Sequence, residues 1–140
     1  MLYNPPFSSP RLSRLAAYNP RTDTLFISRA ILDSQKVIEA QKNFACGENQ
    51  LSTFVHELIH WKDASDYRKK YGDIISSTRG SAYTVYQNKN AREALLKEGI
   101  DLTSPNEIRK DISKYASDCL LDNNYEEVYT EFRTKRLLKG

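Results

Sequence analysis

Both histidines of this chain stand four positions apart, in His56-Glu57-Leu58-Ile59-His60. On a helix, residues at that spacing lie one turn above the other, so two imidazole nitrogens can reach a single cation. The surrounding residues ask for a helix: Leu51, Phe54, Val55, Leu58 and Ile59 recur at the spacing of an amphipathic stripe that packs on a core. At ~100° per residue both imidazoles point well away from that stripe, toward a cleft, with Glu57 beside them. Ser52 or Asn49 is the expected N-cap. Neutral imidazole suits zinc, which in catalytic sites keeps one position for water and lowers its pKa to about 7, where a neighbouring carboxylate can serve as general base. The stretch therefore reads as the centre of a zinc hydrolase, against the plainer alternative of two histidines on a solvated helix face.

Catalytic zinc usually takes three protein ligands. With no third histidine, the third is an Asp or Glu or, less often, a Cys. Asp66, six residues beyond His60, is one candidate, because enzymes with His-Glu-x-x-His-x-x-Gly-x-x-His use that position. Two departures count against it: Asp63 stands where those enzymes carry glycine, and Met1 is the only methionine, so there is no methionine turn. The rival is a glutamate from a downstream helix. Glu127 and Glu131 lie four apart, opposite the apolar stripe of Tyr125, Val128, Tyr129 and Phe132, so one can hold the metal while the other supports it from behind. Without the zinc motif they would read as a solvated face, with Glu131 paired to Lys135. With it, Glu127 is the favoured third ligand.

At 140 residues the chain has the length of one domain. A net charge of +3 is too small to argue for nucleic acid, and the basic cluster Arg133, Lys135, Arg136 and Lys139 reads as solvation of a helix end. No signal peptide or membrane span is visible, so the encoded chain is expected to be cytoplasmic, with no membrane partner. Cys46 and Cys119 form no Cys-x-x-Cys pair and read as small buried hydrophobes.

Four of the five prolines fall in the first twenty residues, so 1–12 reads as an extended proline-rich arm and 13–140 as the domain. Turn chemistry at Asn19-Pro20 precedes a strand at Leu25–Ile27. Partial helical periodicity follows over 28–44, then the motif helix over 51–71, closed by Gly72. Residues 82–86 carry strand propensity. A short helix over 91–97 ends at Gly99. Ser104-Pro105-Asn106-Glu107 opens a helix as a capping box, running through Ile108, Ile112, Tyr115, Ala116 and Cys119. Asp122-Asn123-Asn124 interrupts it before a last helix from Tyr125 to Leu138.

His56-Glu57-x-x-His60 followed by Glu127-Val128-Tyr129-Thr130-Glu131 resembles the glutamate-ligand zinc peptidases of the anthrax lethal factor type, an arrangement also found in small domains associated with phage head proteins and mobile elements. The resemblance spans residues 15–135 in order of elements. It implies an α+β, zincin-like fold: a small sheet packed on the active-site helix, with the C-terminal helix completing the metal site. It also implies zinc held by His56, His60 and Glu127, Glu131 in support, and Tyr115 as donor to the oxyanion, since Ser113-Lys114-Tyr115-Ala116 matches that family's Ser-x-Tyr-Ala-like stretch. Twelve positions separate Tyr115 from Glu127, more than the family's spacing, so either Ser117–Asn124 is an inserted bulge or Tyr125 or Tyr129 takes the role. The partner is then a protein or peptide substrate, bound by strand addition at an exposed edge near Leu25–Ile27. The alternative is a phage- or mobile-element-associated structural module that keeps a non-catalytic zinc site. Association with a phage head or other mobile-element protein adds a virion location to the cytoplasmic one.

Overall fold

The computed structural model describes residues 2–3, 16–28 and 50–139. It is an α+β arrangement, with a small sheet followed by five helices among the described residues. Strands β2 (Ala16–Asn19) and β3 (Thr24–Ile27) form an antiparallel hairpin in which Ala16 faces Ile27 and Asn19 faces Thr24. Its turn is built as its residues demand: the Asn19 side chain accepts from the Arg21 amide at 3.0 Å, and Asp23 takes a left-handed φ of 51°. Strand β1 (Leu2–Tyr3) runs parallel to β3 on its other side, giving the order β1-β3-β2. Leu25–Ile27 is thus the middle strand rather than an exposed edge, because Leu25 and Phe26 pair on both flanks. Of the expected arm over 1–12, Leu2–Tyr3 belongs to this sheet; its other residues, like the helix expected over 28–44 beyond residue 28, Asn49 and Cys46, lie outside the described residues.

The motif helix α1 (Gln50–Tyr71) ends as expected at Gly72, whose φ of +91° suits a residue without Cβ and whose amide reaches the Arg68 carbonyl at 2.9 Å. Arg68 hangs the hairpin on this helix: it donates to the Tyr18 hydroxyl at 3.2 Å and to the Pro20 carbonyl, and pairs with Asp23 at 3.5 Å. Ser52 lies inside α1, buried, and is not its N-cap. The expected apolar stripe is also not the face that packs among the described residues: Phe54, Val55 and Ile59 are half-buried and Leu58 is exposed, whereas Ser52, Thr53, His56, Glu57 and Ala64 are buried. Polar groups can be buried in this way where each finds a partner.

Residues 82–86 belong to helix α2 (Ala82–Lys97), not to a strand, and 91–97 is the second half of that helix. Ser81 caps it by accepting from the Thr84 amide at 3.3 Å, and Tyr83, Gln87, Ala91 and Leu95 recur every fourth residue along its buried face. Strand propensity measures the fit of a side chain to a pleated surface, and here helical packing overrode it. The helix expected from Pro105 through Cys119 is two: α3 (Pro105–Asp111) and α4 (Lys114–Leu121). Ser113 breaks it with extended backbone and then caps α4, accepting from the Ala116 amide at 3.0 Å. Pro105 opens α3, but the Ser104 side chain makes no capping bond. The last helix, α5, runs Tyr125–Leu138 as expected.

The main apolar cluster joins Leu95, Ile108, Ile112, Ala116, Cys119, Leu120 and Val128, and so binds α2, α3, α4 and α5 together. A smaller one, Ala64, Ile74 and Tyr83, seats α2 on α1. Three of the four basic residues of the C-terminal cluster are engaged rather than solvating a helix end: Arg133 pairs with Asp63, Arg136 with Glu98, and Lys135 donates to the Asp111 carbonyl. No helix among the described residues is long and apolar enough to cross a membrane.

Candidate metal centre

α1 and α5 face each other across His56, His60, Glu127 and Glu131. The two Nε2 atoms lie 3.2 Å apart. Glu127 spans them, with Oε2 at 2.9 Å from the His56 Nε2 and Oε1 at 2.6 Å from the His60 Nε2. The opposite nitrogens also face carboxylates: the His56 Nδ1 lies 2.8 Å from Glu131, and the His60 Nδ1 lies 3.4 Å from Glu126. An N–H on each Nδ1 leaves both Nε2 lone pairs aimed at one another and at a carboxylate. Like lone pairs at such distances repel unless a positive charge sits among them. The residues therefore fit a divalent ion: about 2.0–2.1 Å bonds to zinc put tetrahedral ligands a little over ~3 Å apart, close to the spacing of these nitrogens.

The electrostatics report the same demand for positive charge. Burial alone would lower the His56 pKa, but the Glu127 charge and hydrogen bonds to Glu127 and Glu131 outweigh it and raise it to about 10. His60 is likewise driven well above the imidazole range, mainly by Glu127 and Glu126 overcoming burial. Burial would raise Glu127, but the two histidines hold it well below the usual carboxylate range. Protons and a metal ion would compete for these nitrogens.

Glu131 is 1% exposed and is a support rather than a solvated residue: Oε2 takes His56, and Oε1 accepts from the Ser113 hydroxyl at 2.7 Å. It makes no pair with Lys135, which reaches the Asp111 carbonyl instead. Glu57 is buried beside the cluster, with a ligand atom within 4.8 Å of those of His56 and His60. Glu127 is the carboxylate in direct contact with both rings. Burial pushes Glu57 up to about 7, partly countered by His56 and His60.

The Tyr115 hydroxyl donates to the Glu127 Oε2 at 2.9 Å, and its ring meets the His56 ring edge-on at 5.9 Å. Burial, reinforced by Glu127, raises the phenol far above its ordinary value, so it stays an O–H donor. The long spacing to Glu127 is not a bulge: Ser117–Leu121 completes α4, and Asp122-Asn123-Asn124 turns the chain back into α5. Asn123 takes a left-handed φ of 58°, and Asn124 caps α5 by accepting from the Glu127 amide at 3.3 Å. Tyr125 and Tyr129 do not share this place. The Tyr125 hydroxyl turns to Asn123, and the Tyr129 ring lies under Arg133 and against Phe132. Asp66 is 56% exposed in its side chain, paired with Lys62 at 3.0 Å, and outside the cluster. Cys119 is buried, and burial with Glu127 raises its thiol, so it stays protonated.

A cleft of about 960 Å³ opens on the cluster, floored by Glu57, His60, Tyr115 and Glu127. Ala17 and Tyr18 of β2 line it together with Tyr83 and Thr84 of α2. Sequence reasoning missed Glu126 and Ser113 as supports. Both had a signal: Glu126 precedes the proposed ligand in the first helical turn, and Ser113 is an N-cap type at a helix start. No protein-family model, curated protein or solved structure matches the chain.

Proposed function

We propose that this protein is a zinc-dependent peptidase with a zincin-like fold, His56, His60 and Glu127 being the metal ligands. The observation that carries the reading is the convergence of both Nε2 atoms and the Glu127 carboxylate on one point, with Glu57 and Tyr115 lining the same cleft. A zinc ion bound there supplies Lewis acidity and a water of lowered pKa. Glu131, backed by Ser113, and Glu126 orient the two imidazoles through Nδ1. Glu57 accepts the proton of the attacking water and returns it to the departing amine nitrogen, and burial beside the cluster raises the proton affinity of its carboxylate. Tyr115, kept protonated, donates a hydrogen bond to the developing oxyanion. β2 is an edge strand of the described sheet and Ala17 and Tyr18 line the cleft, so an extended peptide can add along Ala16–Asn19 with its scissile bond over the cluster.

Metal analysis of the purified chain tests the reading. It expects about one zinc per chain, lost in the His56→Ala/His60→Ala double variant; zinc retained unchanged in that variant overturns it. Glu57→Gln separates catalysis from binding, with peptide turnover abolished and zinc kept. A wild type that binds zinc at these histidines but cleaves no peptide in a broad library leaves a non-catalytic metal module instead.

A further inference from the structure

We propose that Asp63 is a positioning residue of this centre, a point at which α1, α2 and α5 are joined, and that it sets the gap across which His56 and His60 face Glu127. The inference rests on the reading of the cluster as a metal site.

Asp63 follows His60 by three residues on α1 and uses its side chain and backbone separately. Its carboxylate takes the fork of Arg133, with Nη1 donating to Oδ1 at 3.0 Å and Nη2 to Oδ2 at 2.7 Å. Its backbone carbonyl accepts from the Gln87 Nε2 at 3.1 Å. Arg133 belongs to α5, two residues beyond Glu131. A bidentate guanidinium–carboxylate pair fixes both distance and plane. The plane is held further by the Tyr129 ring, which the Arg133 guanidinium covers at 4.0 Å.

Gln87 belongs to α2, and its neighbour Asn88 reaches the other way. The Asn88 Oδ1 accepts from the amides of Tyr125 at 2.6 Å and Glu126 at 3.2 Å, and its Nδ2 donates to the Asn123 carbonyl at 3.0 Å. Those amides open α5, where helices have no carbonyl of their own to satisfy them. Helix α5 is therefore tied to Asp63 twice: directly at Arg133, and through Gln87 and Asn88 at its first turn. Glu127 lies between the two ties. A rigid helix held at two points can neither slide along α1 nor roll, and metal ligands tolerate only a few tenths of an ångström of either. At the position where other zinc enzymes need glycine to turn the chain, this helix runs on to Tyr71 and uses the side chain as a brace.

The test is zinc titration against a competing chelator, with cobalt(II) absorption spectra, on the full chain and on Asp63→Asn, Arg133→Gln and the double variant, alongside thermal unfolding of the metal-free forms. Each single variant should bind zinc about tenfold more weakly and shift the cobalt bands. The double variant should be no weaker than either single one, since both remove the same tie. Arg133→Lys, which keeps the charge but loses the fork, should fall between. Zinc affinity within about twofold of wild type and unchanged cobalt bands, with only metal-free stability lowered, overturn the proposal and leave the metal reading standing. No zinc bound by the wild type overturns both. If Asp63→Asn does not fold, Asn88→Ala, which cuts only the first-turn tie, carries the same expectation, and unchanged affinity there overturns the proposal.

Discussion

One face of α5 carries Val128 into the apolar cluster with Leu95, Ile108 and Leu120, flanked by half-buried Tyr125, Tyr129 and Phe132. The other carries Glu127 and Glu131 against α1, with Thr130 and Thr134 buried on the same helix. Apolar burial is non-directional and roughly proportional to area, so the first face makes α5 dock without dictating its position to better than a side chain's slack. The second is directional. Each carboxylate oxygen of Glu131 has a buried partner, His56 or Ser113, while Thr130 and Thr134 satisfy their hydroxyls on their own helix through Glu126 and Thr130 carbonyls at 2.8 Å. The acids set the register of the two helices by their contacts with both imidazoles. The apolar face supplies most of the stability, and the polar face supplies the geometry.

That contrast breaks if one face can be damaged with the other's symptoms. The largest effect is expected for Glu127→Ala. Zinc affinity should fall by more than the ~10–100-fold typical of supporting residues, measured by chelator competition, while the chain still folds. Glu131→Gln comes next, with a loss of about 10–100-fold in affinity; normal zinc binding by that variant would show that the face is merely packed. On the opposite side, Leu95→Ala should cost about 2–5 kcal/mol in urea unfolding, yet leave the zinc affinity of the folded chain within a factor of about three.

The pH dependence sharpens the comparison because it divides the two states of the polar face. In the metal-free chain the His56 pKa is raised from 6.5 to about 10. Its contribution to stability is therefore complete below the ordinary imidazole pKa and is lost as pH rises through the folded value. Zinc binding must displace that proton, so affinity should rise with pH over the same window while metal-free stability from this group declines. Titration calorimetry in buffers of different ionisation enthalpy would count the released protons, and an affinity independent of pH would contradict the assignment. The smallest effect belongs to Asp66→Ala, which should change zinc affinity by no more than about twofold, since it and Lys62 form an exposed surface pair.

The outline of the site could be read from local signals. The spacing of His56 and His60 requires a helix, Glu127 and Glu131 share a face at the same spacing, and the ends at Gly72 and Gly99 follow from the left-handed backbone that glycine adopts freely. Where local signals compete, reading failed. Residues 82–86 have β-type side chains but sit in a helix, because their contacts with Tyr67 are made at helical spacing. Among the described residues the stripe from Phe54 to Ile59 is half-buried or exposed while the histidine face is buried; a hydrophobic count cannot register paired acids elsewhere in the chain.

By itself, the chain determined that two imidazoles and a carboxylate would share one helix, and that a second helix would offer acids at matching spacing. Both follow from a period of 3.6 residues, a property of nearby backbone alone. Only the tertiary structure decided that the acids meet the imidazoles rather than water, that Tyr115 returns to Glu127 through a helical hairpin, and that Asp63 reaches Arg133 and Gln87. Those pairs are separated by between 12 and 75 positions, and contacts at such separations depend on how helices cross, which residue spacing does not encode. The motif meets its acids through that crossing.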